Sequence, residues 1–264
     1  MLVVKDVSKT FNSGTVNEKA ALHTVSLDLA PGEFVTVIGG NGAGKSTLLN
    51  AIAGVYPVDS GSILIDGVDV TRQPEFKRAA YIGRVFQDPM MGTAANMGID
   101  ENLALAFRRG NKRSLRWGIS HEEQRQYREL LATLDLGLED RLTTKVGLLS
   151  GGQRQALTLL MATLKQPRLL LLDEHTAALD PKTAAKVLEL SNRLIDRNRL
   201  TTMMITHNMR DAIAYGSRLV MMYEGGIILD ICGEEKRNLT VNELLERFER
   251  VSGSDEAVDT LLLA

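Results

Sequence analysis

The sequence contains a single cysteine, Cys232, and no arrangement of Cys and His residues with zinc-site spacing. One cysteine cannot form an intramolecular disulfide, so a disulfide-stabilised secreted scaffold is excluded and a reducing compartment is expected. Long apolar runs are also missing. Stretches such as 169–172 and 219–222 are far shorter than the roughly 20 residues of a membrane-spanning helix. The first residues, MLVVKDVSKTF, lack the apolar core of a secretion signal, so we expect a chain that reaches a membrane only from its side.

A basic excess is missing as well. The formal net charge is -2 over 264 residues, whereas nucleic-acid-binding domains usually carry clustered positive charge. No nucleic-acid partner is therefore predicted. The length suffices to bury a substantial core without disulfides or metals, so the class that remains is a globular protein.

Strand-like and helix-like segments alternate along the chain, which predicts an α/β fold with a mostly parallel sheet. Residues 3–7 and 23–29 alternate apolar and polar side chains and predict half-buried antiparallel strands. The runs 34–38, 169–172 and 202–205 are apolar apart from Thr36 and Thr202, as in strands that are covered on both faces.

Helix starts are marked by capping residues. Ser120 with Glu123 and Thr240 with Glu243 have capping-box spacing, and Asp180 precedes a proline at the first helical position. Residues 99–148 have helical spacing and no evident strand. We predict one domain over 1–250, with a helical subdomain of about 90–165 inserted in it. Residues 251–264 are predicted to be a mobile tail.

A glycine-rich segment follows the predicted strand 34–38 and precedes a helical run, and it matches the pattern G-x4-G-K-[ST]. Its residues are Gly39, Gly40, Asn41, Gly42, Ala43, Gly44, Lys45, Ser46 and Thr47. Glycines allow backbone N–H groups to face phosphates, and the following helix N-terminus favours anions. Lys45 is expected to contact the terminal phosphates and Ser46 to bind Mg²⁺. The alternative is a glycine-rich turn that matches by chance.

Two acids end the apolar strand 169–172. Asp173 and Glu174 are therefore expected at the carboxyl edge of the sheet, where α/β proteins bind their ligands. Asp173 is suited to orient Mg²⁺ and Glu174 to act as general base toward water. His207 ends another apolar strand and is a candidate for the terminal phosphate, or only a cap for the next helix.

The segment Leu149-Ser150-Gly151-Gly152-Gln153 lies between the glycine-rich loop and the acidic strand. This LSGGQ sequence resembles the signature of the ATP-binding-cassette (ABC) ATPases. The resemblance extends over about residues 2–248. It implies a P-loop NTPase fold, an ABC ATPase core with a mostly parallel sheet, an antiparallel β subdomain and a helical insertion.

The resemblance also implies roles for particular residues. Phe11 corresponds to the adenine-stacking aromatic residue, Gln87 to the Q-loop glutamine that serves catalysis and Mg²⁺, Asp180 to the D-loop, and His207 to the switch histidine. ATP and Mg²⁺ are the implied cofactors. Phe11 replaces the commoner tyrosine and keeps the capacity to stack. His175 stands where many relatives have proline, but Glu174 is present, so a hydrolysing site is predicted.

In this family the signature contacts the γ-phosphate that a second subunit holds. The expected binding elements from the signature are Ser150, Gly151, Gly152 and Gln153. Ser150 begins a helix whose N-terminal N–H groups favour an anion. An ordinary capped helix explains Ser150 but leaves the paired glycines unexplained. A homodimer that encloses two ATP molecules is therefore predicted.

The run FRRGNKRSLRWG carries five basic residues and no acid: Arg108, Arg109, Lys112, Arg113 and Arg116. It is a candidate surface for a permease or for lipid headgroups, or else a solvated face. Met90, Met91 and Met97 are candidates for an adaptable docking surface or for core packing.

The predicted function is ATP hydrolysis that drives solute uptake through a separate integral membrane permease, at the cytoplasmic face of the plasma membrane. The single cassette and the lack of a fused span or further C-terminal domain favour an importer, with an extracytoplasmic solute-binding protein as an indirect partner. The segments GTAANM, RWGI and DEHTAALD resemble ATPases paired with permeases similar to branched-chain amino-acid permeases, so an amino acid or similar small solute is the expected cargo. The alternative is a soluble single-cassette ATPase in cofactor assembly or another non-transport role.

Overall fold

A computed structural model describes residues 1–110 and 118–252. The described residues divide into two compact units, one formed by residues 1–82 and 200–252, and the other by residues 83–110 and 118–199. The predicted helical subdomain falls within the second unit, while the single domain over 1–250 remains a prediction. Most of the predicted tail, residues 253–264, lies outside the described residues.

The first unit contains a four-stranded antiparallel sheet in the order β2-β1-β4-β5. Its strands are β1 (Leu2–Phe11), β2 (Lys19–Leu29), β4 (Ser60–Ile65) and β5 (Val68–Asp69). Alternate residues of β1 and β2, such as Val4, Leu27 and Leu29, are buried. The antiparallel strands predicted over 3–7 and 23–29 are confirmed.

The same unit contains a second group of strands in the order β10-β9-β3-β8. They are β3 (Phe34–Ile38), β8 (Thr201–Ile205), β9 (Arg218–Tyr223) and β10 (Gly226–Cys232). β3 runs parallel to β8 and to β9, whereas β10 is antiparallel to β9. Every residue of β3 and β8 is buried, including their threonines, which confirms the prediction that both faces of these strands are covered.

The described part of this unit contains five helices: α1 (Lys45–Ala53), α2 (Glu75–Arg78), α7 (Met209–Ala214), α8 (Gly233–Arg237) and α9 (Val241–Ser252). α7 and α9 cover β9 and β10, where Met209, Leu219, Leu244 and Phe248 share one apolar cluster. Arg78 is completely buried and donates hydrogen bonds to carbonyls at the end of α1. It therefore satisfies helix C-terminal acceptors that have no partner within the helix.

The second unit combines β6 (Ile82–Val85), apart from its first residue, and the neighbouring strand β7 (Leu169–Asp173) with helices. The helices are α3 (Ile99–Phe107), α4 (His121–Ala132), a 3₁₀ turn (Val146–Leu148), α5 (Gly151–Thr163) and α6 (Pro181–Asn198). α5 packs against α3 and α6, and α3 packs against α4. The described part of 99–148 forms helices and turns, as its spacing predicts.

The predicted capping residues occupy their expected positions. Ser120 and Glu123 form a capping box at α4, and Asp180 accepts the Thr183 N–H at the start of α6. Thr240 exchanges the corresponding bonds with Glu243 at α9. Within residues 1–110 and 118–252, no helix combines the length and the apolar character needed to cross a bilayer.

Candidate nucleotide site

The glycine-rich loop connects β3 to α1, as predicted, and two of its glycines are required by close backbone approaches. Gly39 has φ 151° and Gly44 has φ 99°. A Cβ atom on Gly39 would lie 2.2 Å from the Met222 carbonyl oxygen, and one on Gly44 would lie 2.7 Å from the Ala21 carbonyl oxygen. The loop therefore packs directly on β2 and β9, and only glycine fits these positions.

Lys45 is buried within this loop, and its ammonium group donates to the Gly39 and Gly40 carbonyl oxygens over 2.6 and 3.1 Å. α1 begins at Lys45 with no side chain capping its first turn. A helix N-terminus presents N–H groups that lack intrahelical acceptors and carries partial positive charge. The loop therefore combines a fixed cation with uncapped backbone donors, and the exposed Ser46 hydroxyl follows directly.

Two neighbours of the loop were missed by sequence reasoning. The Gly225 N–H donates to the Ala43 carbonyl over 3.1 Å, and the His23 N–H donates to the Gly225 carbonyl over 2.9 Å. The Lys19 ammonium lies 3.5 Å from the position that a Cβ of Gly42 would occupy. No local signal marks these residues, because their proximity depends on the pairing of strands far apart in the sequence.

Phe11 ends β1 and is partly exposed, which leaves its ring accessible for stacking. Tyr56 approaches it edge to face, with ring centroids 5.2 Å apart, and the Lys9 ammonium lies 5.6 Å from the Phe11 centroid. Lys9 is held by Asp59 at 2.9 Å, and the hydrogen bond from Lys9 lowers the pKa of Asp59. The predicted aromatic residue therefore belongs to a small aromatic and cationic group.

His207 follows β8 and is exposed. β8 is parallel to β3, and the Thr206 N–H donates to the Val37 carbonyl over 3.1 Å. His207 therefore lies at the same edge of the sheet as the start of the glycine-rich loop. The cap of α7 is Asn208, whose side chain accepts two backbone N–H groups. The alternative in which His207 merely caps this helix is therefore wrong.

In the second unit, the two predicted acids stand at the end of β7. Asp173 is half-buried, and Arg84 on β6 lies 3.4 Å from it as an ion pair. The Arg84 guanidinium also lies 4.5 Å from the Phe86 ring centroid. Arg84 was not predicted, because its approach to Asp173 follows from the pairing of β6 with β7.

Glu174 has φ 43°, a left-handed conformation that is unusual for a residue with a side chain.

His175 follows Glu174 directly, and its side chain is almost completely buried. Its Nε2 lies 2.9 Å from the Ser191 Oγ on α6. Burial lowers the pKa of His175 to about 4, so the ring is neutral near pH 7. It is therefore a fixed, uncharged connection between the end of β7 and α6.

Gln87 is exposed just beyond β6. The preceding carbonyl, that of Phe86, accepts a hydrogen bond over 3.1 Å from Gln155, a buried residue of α5. This contact links the start of the Gln87 loop to α5, the helix whose first residues form the signature. Met90 and Met91 are 44% and 70% exposed, so core packing does not account for them, whereas Met97 is partly buried.

The signature forms the N-terminus of α5. The Ser150 Oγ accepts the Gln153 N–H over 3.3 Å, and Gln153 accepts the Ser150 N–H over 3.2 Å. Ser150 and Gly151 are exposed, but Gly152 is buried. A Cβ atom on Gly152 would lie 2.2 Å from the Thr183 Cγ2. The inference that an ordinary capped helix leaves these glycines unexplained is therefore wrong for Gly152, because a side chain there would clash with Thr183 of α6.

Asp180 is exposed at the N-terminus of α6, and its hydrogen bonds with Thr183 lower its pKa.

The basic run is described only in part: Lys112, Arg113 and Arg116 lie outside the described residues. Arg108 pairs with Glu123 at 3.0 Å, and the Arg109 carbonyl accepts a hydrogen bond from Lys165 over 2.7 Å. Both contacts are consistent with an ordinary surface.

The glycine-rich loop, Phe11 and His207 thus belong to the first unit, and the acids, Gln87, the signature and Asp180 belong to the second. A family model described as "ABC transporter" matches residues 22–177. The tyrosine transport ATP-binding protein of Clostridioides difficile (strain R20291) is 45% identical over 249 residues, covering 94% of this chain and 99% of that protein.

The aliphatic sulfonates import ATP-binding protein of Cupriavidus necator is 34% identical over 229 residues, 87% of this chain and 68% of that protein. Among solved structures, an ATP-binding cassette described as a dimer in a post-hydrolysis state with ADP and Pi is 30% identical. It matches with a TM-score of 0.74, covering 90% of this chain and all of that one. With the loop, acidic strand and signature in their expected elements, the chain belongs to the ABC transporter family and is an ABC-type ATPase.

Proposed function

We propose that the glycine-rich loop binds the phosphates of ATP and that Phe11 stacks on the adenine. The observation that carries this proposal is the buried Lys45 ammonium on the loop carbonyls, beside an α1 N-terminus that no side chain caps. A triphosphate gains charge-assisted hydrogen bonds from such a cradle. The loop residues named above would all take part, from Gly39 to Thr47.

In hydrolysis, the Glu174 carboxylate takes a proton from a water whose oxygen bonds to the γ-phosphorus. The bond between that phosphorus and the β–γ bridging oxygen breaks, and ADP leaves with the oxygen. His207 donates to the γ-phosphate, Lys45 neutralises developing charge, and Gln87 orients the water. Each of these residues stands at a strand end or in the loop that follows a strand, as the fold requires.

Mg²⁺ fits the oxygen donors that these motifs offer. The metal prefers carboxylate, hydroxyl and carbonyl oxygens and retains several waters. Ser46 offers an exposed hydroxyl, Gln87 an exposed amide, and Asp173 a half-buried carboxylate. When bound, Mg²⁺ would neutralise charge on the terminal phosphates, with Asp173 acting mainly through water.

A second copy of the chain would complete each site. The exposed Ser150 and Gly151, with Gly152 and Gln153 behind them, would meet the γ-phosphate that the partner holds, and Asp180 would line the same interface. The solved relative described as a dimer bound to ADP and Pi supports this assembly. ATP would then hold two subunits together until hydrolysis releases them.

The dimer would drive solute uptake through a separate integral membrane permease, at the cytoplasmic face of the plasma membrane, with an extracytoplasmic solute-binding protein delivering the cargo. The relative named for tyrosine transport supports an amino acid or similar small solute. The exposed Met90 and Met91 are candidates for contact with the permease. The resemblance to ATPases of branched-chain-amino-acid-like permeases remains a prediction.

The test is Glu174→Gln, with the exposed Glu189→Gln on α6 as the matched control. Glu174→Gln should nearly abolish turnover and make an ATP-bound dimer persist in size-exclusion chromatography, while Glu189→Gln does neither. Unchanged turnover in Glu174→Gln would remove Glu174 from its proposed role. Purification from native membranes adds the transport test, since recovery without a polytopic partner would favour a non-transport ATPase.

A further inference from the structure

Resting on the proposed role of Glu174, we propose that His175 is a positioning residue, which holds the general base through a hydrogen bond to Ser191. His175 is the residue immediately after Glu174, and Ser191 lies on the buried side of α6. The bond is 2.9 Å long and joins the turn after β7 to the middle of a helix of 18 residues.

The direction of this bond follows from the second bond that Ser191 makes. The Ser191 hydroxyl donates its only proton to the Val187 carbonyl over 2.8 Å. The oxygen can then only accept from His175, so the His175 Nε2 carries the proton and donates. The interaction is therefore a chain of two hydrogen bonds that ends on the backbone of α6.

Glu174 needs such support because its backbone is strained. Its φ of 43° places it in the left-handed region, which costs roughly 1–2 kcal/mol for a residue with a side chain. The Ala177 N–H donates to the Glu174 carbonyl over 3.0 Å and closes the turn from one side. Fixing the next residue to α6 prevents the turn from relaxing, and the direction of the Glu174 carboxylate depends on that conformation.

The experiment measures steady-state ATP hydrolysis and ATP binding by the full-length chain. His175→Ala should lower kcat by about tenfold to a hundredfold and leave KM for ATP within about twofold, since orientation rather than binding is lost. His175→Gln places an amide nitrogen at the reach of Nε2 and should restore most of kcat. His175→Asn has the same amide but is too short, so it should not.

Ser191→Ala should lower kcat in the same direction, and the double variant should be no slower than His175→Ala, because both changes remove one interaction. The matched control is Thr163→Val, which removes a buried hydroxyl that bonds only to carbonyls of its own helix, α5. Its kcat should match that of the unmodified chain.

Equal kcat values for His175→Gln and His175→Asn would overturn the inference, as would Ser191→Ala behaving like Thr163→Val. If His175→Ala does not fold, the comparison of His175→Gln with His175→Asn and that of Ser191→Ala with Thr163→Val still test the inference. Glu174→Gln is measured in parallel. If it retains turnover, the proposed role of Glu174 fails and the inference fails with it. If it loses turnover while the His175 and Ser191 variants keep theirs, only the inference fails.

Discussion

The N-termini of α1 and α5 both contain glycine, and they differ in how their backbone donors are used. At α1, Gly44 is left-handed at the N-cap and no side chain caps the helix. At α5, Ser150 caps the helix and Gln153 returns the bond to the Ser150 N–H. The backbone N–H groups at the start of α1 therefore remain available for an anion. At the start of α5, by contrast, the Ser150 side chain already accepts one of these N–H groups.

The reasons for glycine differ in the same way. Gly44 faces backbone atoms and has a positive φ, so both its conformation and its surroundings require glycine. Gly152 faces the Thr183 side chain, whose methyl group lies nearest, and has no positive φ. The glycine-rich loop is thus constrained by its own φ angles and by the backbone of neighbouring strands, whereas Gly152 of the signature is constrained by one side chain of a neighbouring helix.

The largest expected effect is that of Lys45→Ala. It removes the cation from a turn with uncapped donors, so ATP hydrolysis should fall by at least about a hundredfold through loss of phosphate stabilisation. Turnover and fluorescent-nucleotide binding measure the change, and the exposed Lys77→Ala on α2 is the control. Hydrolysis within a few-fold of the unmodified chain would show that the ammonium does not serve the phosphates.

Gly44→Ala should lower the free energy of unfolding by about 2–4 kcal/mol, as left-handed backbone strain adds to a clash with the Ala21 carbonyl. Urea denaturation measures the loss. Because the clash is with backbone, shortening a neighbouring side chain, as in Leu22→Ala, should not restore stability. Recovery in that double variant would show that the loop is not fixed by backbone contacts.

Gly152→Ala should cost less, about 1–3 kcal/mol, since its new methyl meets a side chain. In this case a second substitution, at Thr183, should restore the lost stability. Thr183→Ser removes the opposing Cγ2 and keeps the hydroxyl, so the double variant should regain most of the unfolding free energy. If the double variant is as unstable as Gly152→Ala, packing against Thr183 does not explain Gly152. Ligand binding would then be the remaining explanation for the two signature glycines.

These contrasts also show how far the sequence could predict the site. The mostly apolar strands, the capping residues and the glycine-rich loop are local patterns, and each lies at its predicted place. The Arg84–Asp173 ion pair and the Gly225 contact with the loop depend on strand pairing across many residues, which no local pattern encodes. The left-handed Glu174 was equally hidden, because residues with side chains adopt that conformation only where their surroundings impose it.

The smallest expected effect, that of substituting Ser150, separates capping from ligand binding at the signature. Ser150→Ala should lower the unfolding free energy by about 1 kcal/mol, whereas Ser150→Gly should cost only a few tenths, because glycine is tolerated at an N-cap. Both variants lack the hydroxyl. If the hydroxyl also contacts a partner's γ-phosphate, both should weaken ATP-dependent dimerisation in the Glu174→Gln background to the same extent, despite their different stabilities. Dimerisation that instead follows stability would limit Ser150 to capping α5, and the signature would then contribute to the interface only through its backbone.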